Sequence, residues 1–236
     1  MATRSRHKKQ NKTGSRNKTQ RNLITDSQRN SPITEQYRTI RTNIEYSSID
    51  KKIRSLVVTS AGPGEGKSTT VANLAIVMAQ NGNRVLIVDA DMRRPTAHYT
   101  FALPNTRGLT NVLTKQSKLE DTFQETSISN LSVLTCGPIP PNPAELLDSK
   151  MMEIVIKEAF EFFDIVFFDA PPVMAVTDAQ LLSNKTDGTL LVASSGKTDR
   201  EELIKTKDLL IKTKANLLGV ILNNKPTDEK SYYYYS

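Results

Sequence analysis

The stretch LVVTSAGPGEGKST, Leu56 to Thr69, decides the fold. Four residues of strand-forming type (Leu56-Val57-Val58-Thr59) run into AGPGEGKS, Ala61 to Ser68, and a helix-like apolar pattern follows from Thr69 to Gln80. Gly62, Gly64 and Gly66 let the chain fold back so that successive backbone N–H groups point at one anion. Lys67 then reaches the β- and γ-phosphates of a nucleotide, and the Ser68 hydroxyl is placed to ligate Mg²⁺. The start of the following helix adds its partial positive charge. An ordinary glycine-rich turn would need neither the strand before nor the helix after. The motif therefore predicts a nucleoside triphosphate site with Mg²⁺ beside the phosphates. Gly62, Pro63, Gly64, Glu65, Gly66, Lys67, Ser68 and Thr69 form its phosphate loop.

Outward from this loop, strand and helix patterns alternate. Strands are predicted at residues 54–60, 84–89, 131–135, 165–169, 189–194 and 218–223. Runs such as Val85-Leu86-Ile87-Val88 and Ile165-Val166-Phe167-Phe168 are apolar throughout, as strands covered on both faces must be. Helices are predicted from Ser31-Pro32, a favourable N-cap and first-turn pair, to about Tyr46, and over Lys67–Gln80, Ala144–Phe163 and Asp199–Lys214. Between Arg94 and Asn130 the pattern is irregular, with short helices predicted near Thr110–Thr114 and Leu119–Glu125. This order implies an α/β P-loop NTPase-type fold: a doubly wound, mainly parallel sheet with helices on both faces. Such sheets bind ligands beyond the carboxyl ends of their strands.

The formal charge of +7 is unevenly placed. Residues 1–30 hold nine Lys and Arg against Asp26 alone, so the remainder, with 23 basic and 24 acidic residues, is nearly neutral. The first thirty residues are polar and carry no aromatic side chain, which predicts a disordered basic tail and disfavours base stacking on nucleic acid. Attraction to anionic lipid is the alternative use of such a tail. Residues 31–226 are predicted as one P-loop domain and residues 227–236 as a flexible tyrosine-rich tail. Cys136 is the only cysteine, which excludes a disulfide framework and a cysteine-rich metal site. No run of 18 apolar residues and no signal-like apolar segment is found, so a reducing, cytoplasmic setting is expected. Met151, Met152 and Met174 read as core filling.

Three carboxylates fall at strand ends. Asp89 and Asp91 close VLIVDAD, and Asp169 closes IVFFD, each at the sheet edge that holds the phosphate loop. One such carboxylate can hold Mg²⁺ through water and another can orient or deprotonate an attacking group. Helix capping is the competing use of a single Asp in this position.

DADMR (Asp89 to Arg93) and FFDAPP (Phe167 to Pro172) resemble the second and third Walker-type motifs of the bacterial tyrosine kinases. The resemblance extends over nearly the whole chain from Ser31, through GPIPPNPAELL (Gly137 to Leu147), TDAQLL (Thr177 to Leu182), LLGVILN (Leu217 to Asn223) and the four terminal tyrosines. It is strongest to the Gram-positive members, which act in capsule and exopolysaccharide synthesis and whose membrane activator is a separate chain. The resemblance implies catalytic roles for Lys67, Asp89, Asp91 and Asp169. Ser68, Asp91 and Asp169 would hold the metal, Asp89 would be base for the incoming tyrosine hydroxyl, and Asn223 would read the adenine edge. It implies charge near the phosphates or a surface ion pair for Arg93, and autophosphorylation in trans at Tyr232, Tyr233, Tyr234 and Tyr235. Glu35, Arg38 and Arg41, three residues apart on one helix, would contact the next subunit of a homo-oligomeric ring. The implied partners are the activator's cytoplasmic segment, tyrosine-bearing protein substrates and a cognate tyrosine phosphatase, with recruitment to the inner face of the membrane.

Two other readings compete. A partition or positioning ATPase shares the fold, but its signature lysine early in the phosphate loop is here Gly62. A nucleotide-gated scaffold or nucleic-acid binder would work through the basic arm. Neither accounts for the tyrosine cluster.

Overall fold

The computed structural model describes residues 23–47 and 52–226. A seven-stranded sheet has the order β3-β4-β2-β5-β1-β6-β7. Its strands are β1 (Ser55–Ser60), β2 (Val85–Asp89), β3 (Gln124–Glu125), β4 (Leu131–Leu134), β5 (Ile165–Asp169), β6 (Gly188–Ser194) and β7 (Leu217–Asn223). All pairings are parallel except β3 with β4, a two-residue antiparallel edge.

The apolar strands are apolar because both faces are covered. On β5, Phe167 packs into one layer and Phe168 into the other, and both are fully buried. The first layer contains α1 (Ile24–Ser27), α2 (Pro32–Tyr46) and α3 (Lys67–Gln80), with α4 (Ala97–Phe101). The second contains α5 (Leu109–Leu113), α6 (Pro143–Asp148), α7 (Lys150–Phe162), α8 (Asp178–Ser183) and α9 (Arg200–Lys212). Removing each such aromatic side chain from water stabilises the fold by roughly 2–3 kcal/mol.

Local sequence explains most element ends. Ser31 caps α2, its side chain accepting from the Thr34 N–H, with Pro32 in the first turn. Asp199 caps α9 by accepting from the N–H groups of Glu201 and Glu202. Helix α3 spans the predicted residues and ends at Asn81-Gly82, where Gly82 takes φ +90°.

Several expectations are corrected. The single helix predicted over residues 144–163 is two. Ser149 is extended at φ −64°, ψ 155° and starts α7 as its N-cap, so the chain turns a corner there. The short helix predicted at Leu119–Glu125 is a turn followed by β3; Thr122 Oγ donates to Lys118 O, and Gln124 and Glu125 pair with β4. Helices α4 and α8, of five and six residues, escaped the periodicity reading because they span less than two turns. The predicted disordered tail ends too late. Ile24–Ser27 form α1, and buried Thr25 donates to Asn73 of α3 through its backbone N–H and its hydroxyl, joining the first described residues to the phosphate-loop helix. Residues 1–22 and the tail from 227, including Tyr232–Tyr235, lie outside the described residues. Met152 is buried and Met151 packs against the core, but Met174 is 45% exposed on the loop after β5.

Candidate active site

The site is assembled at the carboxyl ends of β1, β2 and β5, which lie side by side at the centre of the sheet. Gly66, at φ 97° and ψ 12°, is the N-cap of α3. That left-handed backbone favours glycine, and a Cβ there would also have to displace the Asn223 amide. The Glu65 carboxylate turns inward, 3% exposed, and accepts from the Ala61 N–H at 3.1 Å, closing the loop onto the end of β1.

Lys67 leads into a group of carboxylates. Its ammonium lies 3.0 Å from Asp91 Oδ2, 3.3 Å from Asp169 Oδ1 and 3.5 Å from Ser68 Oγ. The two aspartates hold its pKa above the usual lysine value despite the opposing effect of burial. Asp91 is fixed by the Arg94 N–H, donated to Oδ1 at 3.0 Å. Asp89 stands opposite Asp169 in the β2–β5 register, with no solvent exposure. Its Oδ2 accepts from the Thr96 and Ala97 N–H groups at 2.9 and 2.8 Å, while Oδ1 is buried without a hydrogen-bond partner. Burial, and then the charge of Asp169, push the Asp89 pKa up to about 7.

The donor set suits Mg²⁺. Ser68 hydroxyl and the Asp91 and Asp169 carboxylates are hard oxygen ligands around one ammonium, and buried Asp89 Oδ1 has unused acceptor capacity. Among the described residues no three His, Cys, Asp or Glu side chains form an all-protein cage. Mg²⁺ needs none, since it keeps several waters and takes its remaining ligands from substrate phosphates.

Several predicted residues have more specific contacts than their sequence suggested. Arg93 makes a two-pronged ion pair with Asp178, both contacts 3.0 Å, and Asp178 is fully buried. Thus the DADMR and TDAQLL segments meet, and Arg93 serves this pair; of its two predicted uses the ion pair is the one seen. Asn223 donates from Nδ2 to Glu65 O at 3.0 Å, so it abuts the phosphate loop. On α2, Glu35 pairs with Arg38, and Arg41 lies 3.8 Å from Glu45. Lys197 was missed by the sequence reading. It follows β6 and donates to Pro63 O and Gly64 O at 2.8 and 3.0 Å. Its only sequence signal was a Gly-Lys step at the carboxyl edge of a strand.

Several curated relatives of this chain carry the name tyrosine-protein kinase. The AAA domain family model matches residues 51–217. The tyrosine-protein kinase YwqD of Bacillus subtilis is 54% identical over 92% of this chain and 91% of its own length. The putative tyrosine-protein kinase CapB of Staphylococcus aureus is 42% identical over 87% of this chain and 90% of its own. Among solved structures, the chimerical protein CapA2B2 superposes with a TM-score of 0.84 at 45% identity, covering 88% of this chain and 92% of that one.

Proposed function

Because this chain belongs to the bacterial tyrosine kinases, a family of non-receptor protein-tyrosine kinases, we infer that it transfers the γ-phosphoryl group of ATP to tyrosine hydroxyls. Its targets are its own Tyr232–Tyr235, in trans, and tyrosines of other proteins. The observation that carries this reading is the Lys67 ammonium held between Asp91 and Asp169, with protonatable Asp89 beside them at the carboxyl ends of β2 and β5.

Phosphoryl transfer needs alignment and neutralised charge more than covalent chemistry. In this reading the loop Gly62–Thr69 cradles the phosphates and Lys67 moves from its aspartates to the transferring group. Ser68, Asp91 and Asp169 would hold Mg²⁺, which supplies charge neutralisation between the phosphates when bound. A tyrosine hydroxyl, with a pKa near 10, attacks well at neutral pH only when a base accepts its proton. Asp89 is suited to this, since a pKa of about 7 leaves it ionised part of the time yet basic enough to take the proton. Asn223, already touching the loop through Nδ2, keeps its amide oxygen for the adenine edge.

The wider reading follows from the same membership. The kinase acts in capsule or exopolysaccharide production, activated by the cytoplasmic segment of a membrane protein, and a cognate phosphatase reverses its modification. Among the described residues no helix is long and apolar enough to cross a membrane. Recruitment would therefore use that activator and the basic residues of the first thirty, each contributing about 1 kcal/mol at an anionic surface. Glu35, Arg38 and Arg41 on α2 are the proposed contacts of a ring in which each tyrosine tail meets the next subunit. Phosphates on several tyrosines, each bringing nearly two negative charges, would loosen that ring.

The deciding experiment is mass spectrometry of the full chain after Mg²⁺-ATP, with and without the candidate activator segment, beside a Lys67→Met control. Phosphate on Tyr232–Tyr235 that the control lacks supports the reading. An unmodified tail with ATP still consumed favours a switch ATPase instead.

A further inference from the structure

Four consecutive carbonyls of the phosphate loop accept from side chains. Gly62 O accepts from Ser60 Oγ at 2.8 Å, Pro63 O and Gly64 O from Lys197 Nζ at 2.8 and 3.0 Å, and Glu65 O from Asn223 Nδ2 at 3.0 Å. In a planar trans peptide unit the carbonyl and the following N–H point in opposite directions. Drawing the carbonyls of Pro63, Gly64 and Glu65 toward Lys197 and Asn223 therefore turns the N–H groups of Gly64, Glu65 and Gly66 to the other side of the loop. Successive N–H groups turned to one side are what an anion nest consists of.

The ammonium is delivered by a braced turn. Lys197 N–H donates to Ser194 O at 3.1 Å, Ser194 N–H to Thr198 Oγ1 at 2.7 Å, and Ser195 N–H to Asn223 O at 2.8 Å. Asn224 Nδ2 adds a bond to Ser194 Oγ at 2.9 Å. The loop side is fitted to it as well. Gly64 is at φ +71°, and a Cβ there would come 2.8 Å from Lys197 Nζ. Lys197 itself stays exposed, so its charge is not submerged in the core.

We propose that Lys197 is a positioning residue for phosphoryl transfer, a cation from the far end of the chain that presets the phosphate loop for the triphosphate. The proposal rests on the reading of that loop as an ATP site. It gives the loop a positive neighbour from within the same chain, where Gly62 stands in place of the lysine of positioning ATPases. The hydrogen bonds are made to carbonyls and not to the reacting group, so Lys197 should act on the binding of ATP and of the transition state alike.

The test uses the full chain with Lys197→Met and Lys197→Arg. Titration with a fluorescent ATP analogue and Mg²⁺ gives Kd, steady-state phosphorylation of tyrosine gives KM and kcat, and melting without nucleotide reports the fold. Loss of a charged hydrogen-bond pair should raise Kd and KM for ATP about tenfold in Lys197→Met, with kcat within about twofold. Melting should stay within about 2 °C of the parent, and Lys197→Arg should recover most of the affinity. Parent-like ATP affinity in Lys197→Met overturns the proposal. So does an equal loss in both variants accompanied by a large fall in melting temperature, which makes the contact a general brace. The binding arm requires no tyrosine substrate. A chain that binds ATP but phosphorylates no tyrosine refutes the kinase reading and leaves Lys197 to be judged on Kd alone, whereas a chain that binds no ATP refutes both.

Discussion

The substitution Asp89→Asn should remove activity and, above neutral pH, stabilise the fold. Asp89 is buried beside Asp169, and its pKa is raised from 3.8 to about 7. The folded protein therefore holds a proton that the unfolded chain has released, throughout the window between those values. Stability falls as pH rises wherever the folded state binds more protons. From pH 5 to pH 8 the fold loses what lies between pH 5 and about 7, two units at 1.36 kcal/mol each, or about 3 kcal/mol. The introduced asparagine would keep an acceptor for the Thr96 and Ala97 N–H groups and does not titrate. The quantity to measure is the difference in unfolding free energy between variant and parent, by denaturant titration without nucleotide or Mg²⁺, at pH 5 and pH 8. Comparing the two differences cancels the fixed effect of the substitution and the titrations of groups distant from Asp89. The variant should gain about 3 kcal/mol on the parent between the two pH values. For a chain of this length that is roughly 6–12 °C in Tm. Parallel stability curves for the two proteins would refute the argument, because Asp89 would then be ionised in the fold as easily as outside it.

Other outcomes follow from the same geometry. If Asp89 is the base, Asp89→Asn should lower kcat for tyrosine phosphorylation by at least about a hundredfold, and a variant with parent-like kcat removes it from that role. Arg93→Ala leaves Asp178 buried and unpaired, which should destabilise the fold by about 2 kcal/mol, with the half-exposed arginine discounted; unchanged melting would mean that the ion pair contributes nothing. Gly66→Ala puts a side chain on a left-handed backbone at the N-cap of α3, so ATP affinity should fall at least about tenfold by calorimetry, and parent-like affinity would mean that the loop conformation is not strained by a Cβ. Ser149→Ala removes the cap that starts α7 and should cost about 1 kcal/mol in denaturant unfolding, with ATP affinity unaltered.

The chemistry was legible in the sequence wherever it depended on residues close together in the chain. Glycine spacing in Gly62–Gly66, the apolar runs before Asp89 and Asp169, and the cap at Ser31 are local properties, and each implied its strand, loop or helix directly. Periodicity failed where an element was too short to show a period, as in α4, α8 and β3. It also failed at Ser149, where one extended residue breaks a helix whose apolar pattern runs on. What the sequence could not hold was distance between residues far apart in the chain. The strand order puts β2 and β5 side by side, so Asp89 faces Asp169 and its pKa rises; no spacing along the chain carries that information. Arg93 meets Asp178, and Lys197 reaches back to Pro63 and Gly64, for the same reason. Motif and propensity are short-range and were written into the chain itself. The charge of a buried carboxylate and the direction of a phosphate loop's amides depend on what the sheet brings next to them, and only the tertiary structure decided those.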